Sequence, residues 1–123
     1  MSFELEGVEQ LSNEEVHSLY EESDRGTIFI DVRELEEYTE AHIPGIPLIP
    51  MGEMIDIAGE LKSDERYVLV CRSGRRSHEV AKFLKGQGIK NVANYEGGML
   101  EWPGPRAQGE EFIVENVSEL YKS

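Results

Sequence analysis

A single cysteine, three histidines and the lack of any long apolar run narrow what this 123-residue chain can do. One cysteine excludes an internal disulfide, a C-x-x-C redox pair and a zinc site built on several thiolates. Twelve bases stand against 25 acids, a formal net charge of −13 that argues against nucleic acid as a partner and for high solubility. The opening Met1-Ser2-Phe3-Glu4-Leu5-Glu6 has neither a basic region nor an apolar core, so neither secretion nor membrane insertion is signalled. A reducing cytoplasm is the expected home for such a free thiol. The length suits one domain, residues 1–123, with a single two-sided α/β core.

What is present concentrates around the cysteine. Tyr67-Val68-Leu69-Val70 is a short, β-branched-rich apolar run of the kind a parallel strand covered on both faces requires. It ends on Cys71 and passes into Arg72-Ser73-Gly74-Arg75-Arg76-Ser77. From Arg75 onward Ser77, Val80, Ala81 and Leu84 share one helical face, with Phe83 at its edge, until Gly86 and Gly88 stop the helix. Cys71 is thus expected at the carboxyl end of a strand, before a loop that opens a helix. Unpaired N–H groups there form a concave anion site that stabilises a thiolate over the thiol. Three of the 12 bases, Arg72, Arg75 and Arg76, follow Cys71 within five residues. Cations at a helix start oppose its dipole at about 0.3–1 kcal/mol each, so an anion is their expected partner. Lys82 and Lys85, in the last turn, lie where cations are favoured.

The rest alternates strand and helix. Gly7–Leu11 is a strand candidate, and Ser12-Asn13-Glu14-Glu15 fits a capping box for a helix with Val16, Leu19 and Tyr20 inward. Ser23–Gly26 reads as a turn and Thr27–Ile30 as a second buried strand. Glu34–Ala41 reads as a short helix with Leu35 and Tyr38 inward. Pro44, Pro47 and Pro50 allow only a short edge strand around Leu48-Ile49. Met51–Leu61 carries Met51, Met54, Ile55 and Ala58 at helical spacing. Asn91–Tyr95 is the last strand, followed by Gly97-Gly98 and a helical turn containing Trp102. In the tail Ile113, Val117, Leu120 and Tyr121 suggest a helix over Phe112–Tyr121 that packs back on the domain. The expected fold is α/β: a small, mostly parallel five-stranded sheet with helices on both faces and a site outside the strands' carboxyl ends.

Several polar residues have a plain structural reading. Asp31 and Arg33 form a turn-stabilising pair, His42 beside Pro44 is a turn residue, and His17 and His78 belong to helix surfaces. None of these histidines has a metal partner at helical spacing. Trp102 belongs to the core or its rim, and Met51 and Met54 to packing.

Asp31-Val32-Arg33, Glu37-Tyr38, His42-Ile43-Pro44-Gly45, Cys71-Arg72-Ser73-Gly74 with Arg76-Ser77, and Gly97-Gly98 with Trp102 resemble, in order and spacing, the successive signatures of a single-domain rhodanese. The resemblance covers about residues 7–105 and leaves 107–123 as an extension. Ala41 and Ile46-Pro47 depart from the usual pattern only in the turn around His42. The resemblance implies a sulfurtransferase in which Cys71 is the nucleophile, accepts sulfane sulfur from a donor such as thiosulfate and carries it as a persulfide. Arg72, Ser73, Gly74, Arg75, Arg76 and Ser77 are the implied substrate-binding cradle. The partners are then a small anionic sulfur donor and a thiol or protein acceptor, with no cofactor or metal.

Two other readings use the same residues. A cysteine phosphatase or arsenate reductase also sets a reactive cysteine in an anion-binding loop. The tyrosine-phosphatase pattern, however, places Arg six residues after Cys, where this chain has Ser77. A non-catalytic binding module is disfavoured by the presence of Cys71.

Overall fold

The computed structural model describes residues 3–22 and 26–121. In chain order the elements are β1 (Phe3–Leu5), β2 (Val8–Leu11), α1 (Asn13–Glu21), β3 (Thr27–Asp31), α2 (Leu35–Glu40), α3 (Met51–Ile57), β4 (Arg66–Val70), α4 (Arg75–Gly86), β5 (Val92–Tyr95) and α5 (Gly98–Glu101). One sheet of five strands has the order β1-β2-β5-β4-β3. Only β1 runs antiparallel to its neighbour; β2 with β5, β5 with β4 and β4 with β3 are parallel pairs.

The apolar continuity of β4 follows from helices on both of its faces. Tyr67 and Leu69 join Cys71 in one buried cluster with Val80, Ala81 and Leu84 of α4 and Met54 of α3. Val68 and Val70 point the other way into a second cluster with Val16 of α1, Met99 of α5 and Trp102. This is the period-two alternation of a strand with no solvent face. Helix α1 starts where its capping box directs: the Glu15 amide donates to Ser12 Oγ at 3.2 Å and the Ser12 amide to Glu15 Oε1 at 2.9 Å.

The structure departs from the sequence reading at the chain's edges. The first strand is preceded by β1, joined through a tight turn in which Glu6 (φ 53°) and Gly7 (φ 84°) both have positive φ, as a two-residue hairpin loop requires. All three residues of β1 are exposed, so no burial pattern marked it. Tyr38 is buried as expected but Leu35 is exposed, and of the residues at helical spacing in α3 Met54 is buried while Ile55 is exposed. After Ile57 the helix tightens to a 3₁₀ turn over Ala58–Glu60. The proline-broken stretch makes a single parallel bridge from Leu48 to Asp31, and the tail continues the edge with a bridge from Ile113 to Leu48. Because Ile113 is held extended there, the tail helix shrinks to a 3₁₀ segment, Val117–Tyr121, that buries Val117 and Leu120. The turn expected at Ser23–Gly26 falls mostly outside the described residues. No helix among the described residues is long and apolar enough to cross a membrane.

Candidate active site

Cys71 follows β4 directly, at the carboxyl end of the sheet, and is fully buried. Gly74, the N-cap of α4, curls the chain back with φ 87°, so that its N–H donates to Cys71 Sγ at 3.1 Å. Two constraints make this residue a glycine: the left-handed φ, and a Cβ that would collide with the Glu96 carbonyl oxygen. Ser77, one turn into α4, brings its hydroxyl within 3.3 Å of the sulfur. The loop's first residues are held from the other side by α5. Met99 N–H donates to the Cys71 carbonyl at 2.9 Å and Leu100 N–H to that of Arg72 at 3.0 Å. At Gly98, whose φ is 62°, a Cβ would lie 2.7 Å from the Cys71 carbonyl oxygen, which explains the second glycine of the pair after β5.

The loop's cations divide. Arg72 and Arg75 are exposed, whereas Arg76 is half-buried and forms a two-pronged bond with Glu37 of α2, at 2.7 and 2.8 Å. The Arg76 guanidinium, aided by the Glu34 backbone amide, holds the Glu37 carboxyl down at about 2 despite partial burial. Glu37 in turn raises Arg76. The anion expected for Arg76 is therefore supplied by the chain itself. Arg33 and Asp31 form the structural pair read from the sequence, buried, at 2.8 Å, with Arg33 also donating to the Ala41 carbonyl at 2.8 Å.

Beside the loop lies a cleft of about 270 Å³ lined by Arg72 together with Arg33, Glu37, Met99, Leu100 and Arg106. Ser73 and Arg75 face a different cleft, of about 310 Å³, shared with His78. The structure thus gathers Cys71, Gly74 and Ser77 at the sulfur and sets Arg72 at the mouth of the first cleft, while Ser73 and Arg75 line the second and Arg76 turns its guanidinium to Glu37. Arg106 escaped the sequence reading because it follows the last motif and belongs to no periodic pattern. It is steered by its bonds to the carbonyls of Met99 and Trp102, at 2.8 and 3.1 Å.

Asn94 was also missed. It sits in β5 with Leu69 of β4 and Gln10 of β2 as register partners, donates to the Gly74 carbonyl at 2.9 Å and accepts from Ser77. A polar side chain in a fully buried strand was the available signal. Two histidine assignments change. His42 is fully buried, stacked on Tyr38 at 3.8 Å, with Nε2 bonded to Glu111 at 2.8 Å. His78 is buried beneath Glu6, its Nε2 2.8 Å from Glu6 Oε1. Donor atoms of Glu6, His78 and Glu79 lie within 4.8 Å of one another, across chain segments that helical spacing does not connect. Lys82 Nζ already supplies a positive charge there, 3.4 Å from Glu6 and 3.8 Å from Glu79.

Comparison with known proteins agrees with this geometry. Residues 12–104 match the family model described as "Rhodanese-like domain". A Bacillus subtilis protein named "Putative sulfur carrier protein YrkF" is 46% identical over 83 residues, which cover 68% of this chain and 45% of that protein, so the chain spans under half of its length. A second B. subtilis protein, "Putative sulfurtransferase YtwF", is 47% identical over 83 residues, covering 68% of this chain and 80% of the relative. Among solved structures, a rhodanese-like domain protein from Staphylococcus aureus superposes with a TM-score of 0.68 at 34% identity, over 76% of this chain and 89% of its own.

Proposed function

The chain belongs to the rhodanese-like domain family, and on that premise we propose that it is a sulfurtransferase that moves sulfane sulfur from thiosulfate or a related persulfide donor to a thiophilic acceptor through a persulfide on Cys71. The observation that carries this reading is the Cys71 sulfur itself, which stands at the carboxyl end of β4 within 3.1 Å of the Gly74 N–H and 3.3 Å of the Ser77 hydroxyl. The thiolate attacks the outer sulfur of the donor. A new S–S bond forms, the donor's S–S bond breaks, and its electron pair leaves on sulfite. The acceptor nucleophile then takes the outer sulfur and returns the electron pair to Cys71. Loop amides and the exposed cation of Arg72 favour the anionic donor and the departing sulfite.

The named B. subtilis relatives support sulfur transfer as the activity class. The acceptor is a small thiol or a partner protein, and residues 1–123 act as one domain, a core at about 7–105 with 107–123 as its C-terminal extension. A persulfide-carrying thiol suits a reducing cytoplasm. A phosphatase reading is disfavoured because the loop is one residue short of the tyrosine-phosphatase pattern.

The test sets sulfite release from thiosulfate, with cyanide as acceptor, against hydrolysis of p-nitrophenyl phosphate. Sulfite release that disappears in Cys71→Ser, with no phosphate released by either protein, is expected. Turnover that survives Cys71→Ser, or phosphate-ester hydrolysis lost in that variant, would overturn the proposal.

A further inference from the structure

The hydroxyl beside the Cys71 sulfur is the near end of a buried polar chain that runs from the loop to the surface. Gln10 and Asn94 are neighbours across β2 and β5, 2% and 1% exposed, on the side of the sheet that faces α4. Ser77 bonds Asn94 Oδ1, Asn94 Nδ2 donates to Gln10 Oε1 at 2.8 Å, and Gln10 Nε2 lies 2.9 Å from His78 Nδ1. His78 Nε2 completes the chain 2.8 Å from Glu6 Oε1.

Two backbone carbonyls fix which way each amide points. Asn94 Nδ2 also donates to Gly74 O at 2.9 Å, and Gln10 Nε2 to Val8 O at 3.2 Å. Turning either amide over would set oxygen against carbonyl oxygen in a buried site. Asn94 therefore presents its oxygen to Ser77, and Gln10 presents an N–H to His78 Nδ1, which must accept it. The imidazole is then the tautomer that donates from Nε2 to Glu6. Every proton in the chain points away from Cys71.

Ser77 has one hydroxyl proton, and Asn94 takes it. Toward the sulfur, Ser77 offers a lone pair. A thiol fits that arrangement, because its S–H donates to Ser77. A persulfide fits as well, since its inner sulfur carries neither a proton nor a full charge. A thiolate does not fit: it draws the Ser77 proton to itself and leaves the buried Asn94 oxygen without a donor.

We propose that Asn94, pinned by the Gly74 carbonyl and by a Gln10 that His78 orients, is a positioning residue that keeps the Ser77 proton off Cys71, so that the thiolate is left without that hydrogen bond and the persulfide is the favoured resting form. The persulfide half of this statement rests on the reading of Cys71 as a sulfur carrier. The proton chain does not.

Alkylation by iodoacetamide tests the chain without any sulfur donor: the Cys71 proton passes to water, sulfur bonds to carbon, and iodide leaves. On the rising limb of the parent's own rate-against-pH profile, freeing Ser77 by Asn94→Ala should raise the thiolate fraction about tenfold, from the difference between a charged and a neutral hydrogen bond. Because a better-stabilised thiolate is a weaker nucleophile, the rate on that limb should rise about threefold. Gln10→Met, which removes one of the two groups pinning Asn94, should act in the same direction and less strongly. Both effects should vanish in a Ser77→Ala background, where a merely structural role would persist. An unchanged or slower rate in a folded Asn94→Ala variant would overturn the proposal, as would equal acceleration with and without Ser77. Should Asn94→Ala fail to fold, Gln10→Met decides by the same two criteria. Ser77-dependent acceleration in a protein that lacks thiosulfate turnover would leave the proton chain standing and remove the sulfur-transfer reading.

Discussion

Glu37 is one of 25 acids in the sequence, and only its bond to Arg76 sets it apart. Its carboxyl is held at about 2, below the ordinary 4.5. A carboxylate depressed in this way contributes stability in full above about 4.5 and loses it as pH falls through about 2. Glu37→Gln is therefore expected to melt below the parent at neutral pH, with the difference in Tm closing as pH is lowered from 4.5 toward 2. A difference that stays constant over that window would show that the pair does not stabilise the fold. The sequence offered no sign of this partnership, because the two residues meet across elements separated by 39 positions. Gly74 and Cys71, by contrast, were legible, since their geometry is local: a turn, a left-handed φ and a helix start within four residues. The roles of Asn94 and His78 depend on strand register and helix rotation together, and neither can be counted along the chain.

Elements with buried faces on both sides announced themselves, and those at the margins did not. Strand β4 was readable because its run is apolar throughout, and α1 because its capping box is contiguous. Strand β1, wholly exposed, carries no such pattern. The tail shows the same limit: its apolar spacing pointed to a helix, yet pairing of Ile113 with Leu48 keeps the first part extended. What the spacing did convey is that the tail packs, since Val117 and Leu120 are buried and Tyr121 meets the Tyr67 hydroxyl at 2.6 Å. Burial of such side chains contributes about 1.5–3 kcal/mol each. Removing residues 112–123 should therefore lower unfolding stability in urea by about 3 kcal/mol or more. The Val114 amide, bonded to the Leu48 carbonyl at 3.2 Å, should resist hydrogen exchange in the full chain. Unchanged stability together with rapid exchange at Val114 would mean that the tail does not hold the edge of the fold.

Across the whole molecule, a body of net charge −13 presents a cleft edged by Arg72 and Arg106. The body repels a dianionic donor at long range and the arginines attract it at short range, so salt reports which prevails. Raising ionic strength from 0.01 to 0.1 M shortens the screening length from about 30 to about 10 Å. The thiosulfate KM is expected to rise with salt in the parent and to respond less in Arg72→Gln; a KM that falls with salt would assign control to the acidic body. The most direct test of the central claim needs no turnover. Intact-mass spectrometry after brief exposure to thiosulfate and removal of excess reagent should show a gain of about 32 Da, one sulfur atom, that maps to Cys71 and is lost on treatment with cyanide or a thiol. No gain in mass, or the same gain in Cys71→Ser, would contradict it.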